Sequence, residues 1–383
     1  MFSKRKKEYL KYIKWVPTYL CNCRCVHCDA LRESIEECDL SLVADRIKDS
    51  KCFKNGVISI AGGEPFFKKG IGAVLAQLYN TLDLRWLDIT TNGTCLGEIK
   101  SFCDTISDTN NIFVNVSIDG TSEVHNRIRQ NSNAFEAAVQ AVNLFKKSGI
   151  SVSINFVIQK DNIDNMEAFR EIINSTCGDV QINWIPLLPE AAGENYDFPY
   201  TKQEVERIYP YLQENNSALF KNYIERKGNI IVEKCHAGHS SIMISPDGKV
   251  FPCLTGKLYK KWSSGEEYCI GDLRKETLDE VFVACQDENA EYKRNIKCCK
   301  CRNYCEISVE ELCYGAPINR FFVPQREDVI NCYRYILGRE PEHEDSITYH
   351  LSTNANLEEL QKLFLNSQEF KNRYDAERVQ AAR

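Results

Sequence analysis

Six short apolar runs punctuate the first half of the chain. They are Trp15–Leu20, Val57–Ala61, Leu87–Thr91, Ile112–Ile118, Val152–Ile158 and Val180–Ile185. Their β-branched and aromatic content predicts strands. Segments long enough for helices separate them. In "AFEAAVQAVNLFKKSG" at 134–149, Phe135, Val139, Val142 and Phe145 recur at helical spacing, and Gly149 is a natural stop. Strands alternating with helices imply right-handed crossovers and a mainly parallel sheet.

The pattern changes after Ile185. "PLLPEAAGENYDFPY" at 186–200 reads as a linker. A cysteine-rich stretch follows to about 320. Within it, "ISPDGKVFPC" at 244–253 predicts a hairpin turning at Asp247–Gly248. Helical periodicity returns over Val329–Leu337, which stops at Gly338 before Pro341. A further helix is predicted after Asn356, with Leu357, Leu360, Phe364 and Leu365 as its apolar stripe. The expected division is 1–190, 200–320 and 322–383.

Composition adds chemistry. The chain has 383 residues and a hydrophobic fraction of 43%, so it can build a large core without disulfide staples. It contains no run of 18 apolar residues and no secretory h-region, so a cytoplasmic protein without a membrane partner is expected. In that compartment 19 cysteines point to metal or redox chemistry. A net charge of −6 argues against a nucleic-acid partner.

The densest cysteines stand in "TYLCNCRCVHCDA" at 18–30, where Cys21, Cys25 and Cys28 are spaced C-x3-C-x2-C. Zinc would want four ligands, and Cys23 is the only spare thiol among them. An iron–sulfur cluster held by three thiolates would leave one iron open to a ligand. Spacing alone leaves both readings standing. Other motifs recur at successive strand ends: "GGEP" at 62–65, "TTNG" at 90–93, "SIDG" at 117–120 with "HNRIR" at 125–129, and "QKDN" at 159–162.

With these motifs the sequence resembles the radical S-adenosylmethionine (SAM) superfamily. The resemblance implies an α/β core, a partial (β/α)6 barrel with a parallel sheet. It implies that Cys21, Cys25 and Cys28 hold a 4Fe–4S cluster whose open iron binds SAM. Reductive cleavage of SAM then gives a 5′-deoxyadenosyl radical that takes hydrogen from substrate carbon. His27 stands where the family places an aromatic group near the adenine. Gly62, Gly63 and Glu64 would meet the methionine amino group. Ser117 and Arg129 are candidates for the SAM carboxylate and ribose, with Arg127 a rival to Arg129. Asn92 would line the same pocket. Asp119 is expected to be a turn residue.

Cys235, "GKVFPC" ending at Cys253, "CIGDL" at 269–273 and "CCKCRNYC" at 298–305 resemble the SPASM or Twitch extension, a small Cys-rich α+β unit. The run reads C-x2-C-x3-C, short of the full two-cluster spacing. One auxiliary 4Fe–4S cluster on Cys235, Cys253, Cys298 and Cys301 is therefore expected. Cys299 and Cys305 are rivals for it, and zinc is an alternative occupant. Cys269 and Cys285 are expected to be small buried hydrophobes. Related epimerases return hydrogen from a cysteine, which makes Cys313 the catalytic candidate. Residues 322–383 resemble an all-helical, phycobilisome-linker-like unit suited to recruitment.

The function expected first is oxidation or epimerisation of a sugar or polyol. The alternative is maturation of a ribosomally made peptide. A core that begins near residue 15 leaves little room for an N-terminal peptide-recognition domain. A non-enzymatic iron or zinc protein would not account for the glycines, serine and arginine at the strand ends. An electron donor such as flavodoxin or ferredoxin is implied as a partner.

Overall fold

The computed structural model describes residues 9–28, 35–187, 199–214, 237–252, 269–286, 326–353 and 357–372. The chain divides into two compact units. One comprises Met1–Pro199 and Gly228–Cys313, the other Tyr200–Lys227 and Tyr314–Arg383.

The first unit opens with the expected alternation. Its elements are β1 (Leu10–Trp15), α1 (Leu40–Lys48), β2 (Phe53–Ile60), α2 (Ile71–Thr81), β3 (Trp86–Thr91) and α3 (Leu96–Thr105). They continue as β4 (Ile112–Ser117), α4 (Ser122–Arg129), α5 (Ala134–Lys147), β5 (Ser151–Ile158), α6 (Met166–Cys177) and β6 (Gln181–Pro186). Helix α7 (Lys202–Glu214) belongs to the second unit. Strands β7 (Ser241–Ile244), β8 (Lys249–Phe251) and β9 (Gly271–Asp272) and helix α8 (Leu278–Cys285) return to the first.

The sheet runs β6-β5-β4-β3-β2-β1-β7-β8-β9. Strands β1 to β6 are all parallel and neighbour one another in chain order. This is the expected partial barrel. Strand β7 adds to the free edge of β1 in parallel, and β8 and β9 follow antiparallel. The described part of the cysteine-rich stretch therefore extends the core's own sheet. The β7–β8 turn falls at Asp247–Gly248, as expected.

Strand β2 starts at Phe53, ahead of the expected Val57, and β1 departs most from the expectation. Strand β1 is Leu10–Trp15, and Val16–Leu20 lies beyond it. Leu10, Ile13 and Trp15 are buried, and pairing on both edges fixes this register. Pro17 has no N–H to give to a ladder. The run at 15–20 is apolar because Val16 and Tyr19 are core residues. They pack with Met243 and Phe251.

The two faces of the barrel strands differ. On β4, Ile112, Val114 and Val116 are buried toward the helices, while Phe113, Asn115 and Ser117 are only partly buried on the inner face. The outer layer is aromatic: Phe156 lies 4.9 Å from both Phe169 and Trp184, centroid to centroid. The inner face carries a hydrogen-bonded polar layer across all six strands. Lys14 donates to Ser59 (2.8 Å), Ser59 to Asp88 (2.8 Å), Asn115 to Asp88 (2.8 Å) and Ser153 to Asn115 (2.8 Å). Asn183 donates to Ser153 and Asn155, both at 2.9 Å.

In the second unit α9 (Arg326–Asn331) runs into a wider π-type turn over Cys332–Leu337. It is followed by α10 (Glu344–Thr353) and α11 (Leu357–Asn366). Val329, Tyr333, Ile347, Leu360 and Phe364 form the core of this unit. Leu365, expected in the apolar stripe, is 45% exposed. It follows Phe364 directly, so the helical turn carries it off the buried face. Among the described residues no helix is long and apolar enough to cross a membrane.

Candidate active site

Chemistry gathers on the loop that follows β1, at the C-terminal edge of the parallel strands. Three neighbouring loops hold it. After β2, Gly63 donates to Thr18 O (3.0 Å) and Glu64 to Leu20 O (2.8 Å). After β3, Asn92 Nδ2 donates to Asn22 Oδ1 (3.0 Å). At the end of α4, Arg24 and Val26 donate to the carbonyls of Arg129 (2.9 Å) and Ile128 (3.0 Å).

The glycines of "GGEP" have a steric reason. A Cβ on Gly63 would lie 2.1 Å from Leu20 O, and one on Gly62 would lie 2.7 Å from Thr18 O. Gly62 also holds φ +145°, which other residues rarely adopt. These glycines let the cysteine loop close onto the end of β2.

Glu64 is 1% exposed. Its carboxylate accepts from Phe66 N (3.0 Å), Thr91 Oγ1 (2.6 Å) and Asn92 N (2.6 Å), which straps β2 to β3. Burial pushes its pKa up to about 7 against these three donors. The structure thus gives Glu64 a bracing role beneath Asn92.

The cysteines differ in surroundings. Cys21 is half-buried, Cys25 buried and Cys28 exposed. The Cys21 sulfur accepts from Cys23 N (3.4 Å) and Asn92 Nδ2 (3.7 Å). The Cys23 thiol and N–H aimed at it hold its pKa down to about 6, against burial. Burial raises the Cys25 thiol, and the Arg129 charge opposes that rise. Arg129 Nη1 lies 3.4 Å from the Cys25 sulfur.

Asp119 is fully buried and ion-paired to Arg129 at 2.6 Å. It stands on the connection between β4 and α4, and its carboxylate is committed to this ion pair. Burial pushes its carboxyl up, but the Arg129 charge, with smaller help from His27 and His125, holds it below the usual range. Of the two rival arginines, Arg129 points into the site. Arg127 is exposed and reaches Asp161 O (3.5 Å) and Glu123 (3.9 Å).

His27 is half-buried, with Nδ1 3.2 Å from Gln159 Nε2. Ser117 sits half-buried at the inner end of β4, in register with Asn155. Sequence analysis places Gln159 and Asn162 in the "QKDN" motif without giving them a role, and Asn131 lies outside every motif. Asn162 is fully buried and donates to Asp119 O (2.9 Å) and Val157 O (2.8 Å). Asn131 Nδ2 reaches Asn22 O (3.3 Å) and the Cys23 sulfur (3.8 Å). For Asn131 the available signal was a polar amide just after a helix, where a surface position is the commoner outcome.

Cys235, Cys253, Cys298, Cys299, Cys301, Cys305 and Cys313 lie outside the described residues. Cys285 is buried as expected. Cys269 is exposed and donates to Gly271 O (3.1 Å), because it precedes the short edge strand β9.

Residues 15–173 match the Radical SAM superfamily, and residues 235–306 match SPASM, an iron–sulfur cluster-binding domain. The chain carries a radical SAM domain followed by a SPASM domain. The radical SAM domain binds a 4Fe–4S cluster and SAM, and the SPASM domain binds auxiliary iron–sulfur clusters.

The chain is 32% identical to Fe-coproporphyrin III synthase of Methanosarcina barkeri over 45% of its own length and 42% of that protein's, so it spans under half of that relative. It is 23% identical to a cysteine-type anaerobic sulfatase-maturating enzyme of Clostridium novyi over 74% of this chain and 83% of that one. The fold is similar to that of Streptococcus suis SuiB bound to precursor peptide SuiA, with a TM-score of 0.53 and 17% identity over 77% and 70% of the two chains.

The residues present suit a cluster. Three thiols share one braced loop, and N–H donors from Cys23, Asn92 and Arg129 are aimed at sulfurs, as anionic thiolates require. Among the described residues no three cysteine, histidine or acidic side chains converge on a single metal ion. Thiolates around a 4Fe–4S cube each bind a different iron, so convergence on one point is not needed.

Proposed function

We propose that this chain is a radical SAM enzyme that modifies a peptide or protein, starting with removal of a hydrogen atom from a substrate carbon. The sulfatase-maturating relative carries this reading, because its alignment spans most of both chains. The SuiB structure, described with a precursor peptide, supports it. Neither of them acts on a sugar or polyol by its name, so the peptide alternative replaces the substrate expected first.

The bound cluster and SAM together supply a one-electron route to hydrogen abstraction. The chain's residues supply the setting. Cys21, Cys25 and Cys28 would hold the cluster, with Asn92 and Arg129 directing donors toward the sulfurs. His27, held by Gln159, would flank the adenine, and Ser117 lines the inner face. The polar layer from Lys14 to Asn183, with Asp88 within it, gives a polar substrate hydrogen-bond partners below the chemistry. Cys235, Cys253, Cys298 and Cys301 hold an auxiliary cluster, and an external flavodoxin or ferredoxin supplies the electron.

The test is anaerobic turnover of reconstituted protein with SAM and reductant. Peptides encoded beside the gene should raise the yield of 5′-deoxyadenosine and change in mass. Stimulation by free sugars or polyols, with no peptide altered, would overturn the reading.

A further inference from the structure

We propose that Arg129 tunes the reduction potential of the cluster by donating a hydrogen bond to the Cys25 sulfur, and that Asp119 is the positioning residue that aims it. Arg129 has one arm on each partner. Its Nε and Nη2 lie 2.7 and 2.6 Å from Asp119 Oδ2, and its Nη1 lies 3.4 Å from Cys25 Sγ. The pair is deeply buried, with side chains 9% and 0% exposed.

Asp119 cannot turn. Its Oδ1 accepts from Val157 N (3.0 Å), its carbonyl accepts from Asn162 Nδ2 (2.9 Å), and its N–H donates to His125 Nδ1 (2.9 Å). The guanidinium plane is therefore fixed with one edge toward the sulfur. Arginine is the side chain that can do this, because its donors form a rigid fork.

Cys21 and Cys25 are not equivalent. Among the described residues Cys21 receives neutral donors, from Cys23 and Asn92, whereas Cys25 receives the charged one. Hydrogen bonds to cluster sulfurs are one of the protein's levers on potential. Reduction adds negative charge to the cluster, so a fixed N–H aimed at a ligand sulfur favours the reduced form. The Arg129–Asp119 pair carries no net charge. Its effect is thus directional, because the cationic end faces the sulfur.

The inference rests on the assignment of Cys25 as a ligand, and Cys25→Ala checks that separately. If Cys25→Ala keeps the SAM-responsive cluster, the ligand assignment fails. The tuning role is read by EPR-monitored redox titration of anaerobically reconstituted full-length protein, following the signal that changes on adding SAM. The double variant Arg129→Met with Asp119→Asn removes the donor without changing net charge. Its midpoint, read before SAM is added, should fall below wild type while iron content is kept. Arg129→Lys, which keeps the charge but loses the fork, should also titrate lower.

An unchanged midpoint in a fully loaded double variant overturns the proposal. So does an unchanged midpoint with a lost SAM response, which would make Arg129 a SAM ligand. If neither variant holds a cluster, Arg129 is a structural strut and the proposal also fails.

Discussion

His125 shows how a single side chain locks the site. Its Nδ1 accepts the Asp119 N–H, which leaves the proton on Nε2. Among the described residues Nε2 has no hydrogen-bond partner, and the ring meets Phe135 edge-on at 6.1 Å. Burial, reinforced by the Arg129 charge, lowers the His125 pKa from 6.5 to about 3. Between those values the unfolded chain binds more protons than the folded one. Its contribution to stability is therefore present above the unfolded pKa and is lost as pH falls toward the folded one. The slope can reach ~1.4 kcal/mol per pH unit. His125→Asn places an oxygen near Nδ1 but cannot titrate. Urea midpoints compared at about pH 7.5 and about pH 5.5 should fall less in the variant than in wild type. An equal fall would show that His125 does not titrate in this window.

At the scale of elements, each strand end was legible because its motif follows a run of buried β-branched residues. The "GGEP", "TTNG", "SIDG" and "QKDN" stretches all lie at the C-terminal edge, as their order implies. Local composition cannot tell a core-packed loop such as Val16–Leu20 from a strand. Only the partners of β1 decide that. The same limit hid the docking of α8. Its first turn carries Asp279, whose carboxylate accepts from Ser50 Oγ (2.6 Å), Lys51 N (3.0 Å) and Cys52 N (3.1 Å), just before β2. Asp279→Ala leaves those donors unpaired and should cost about 1–3 kcal/mol. Amide exchange at Lys51 and Cys52 should quicken, and unchanged exchange would show that the contact is dispensable. Thr277 and Glu280 cap α8 reciprocally, so the helix itself should survive.

For the molecule as a whole, the two units have separate cores. Leu360 is fully buried in the helical one. Leu360→Ala should destabilise that unit by about 2–5 kcal/mol. Limited proteolysis should then cut residues 326–372 sooner, while iron content and the SAM-responsive EPR signal stay as in wild type. Loss of the cluster in this variant would show that the units depend on each other.

The sequence by itself determined the alternation of strands and helices, the edge on which the chemistry lies, and the three cysteines of the first loop. These follow from local periodicity and spacing, which need no distant partner. The tertiary structure decided which polar groups are buried together. Asp119 became an ion-pair partner and Glu64 a brace, and Asn162 became a strut. The inner faces of six strands merged into one hydrogen-bonded layer. Burial and pairing depend on what the rest of the chain brings alongside, and no local pattern encodes that.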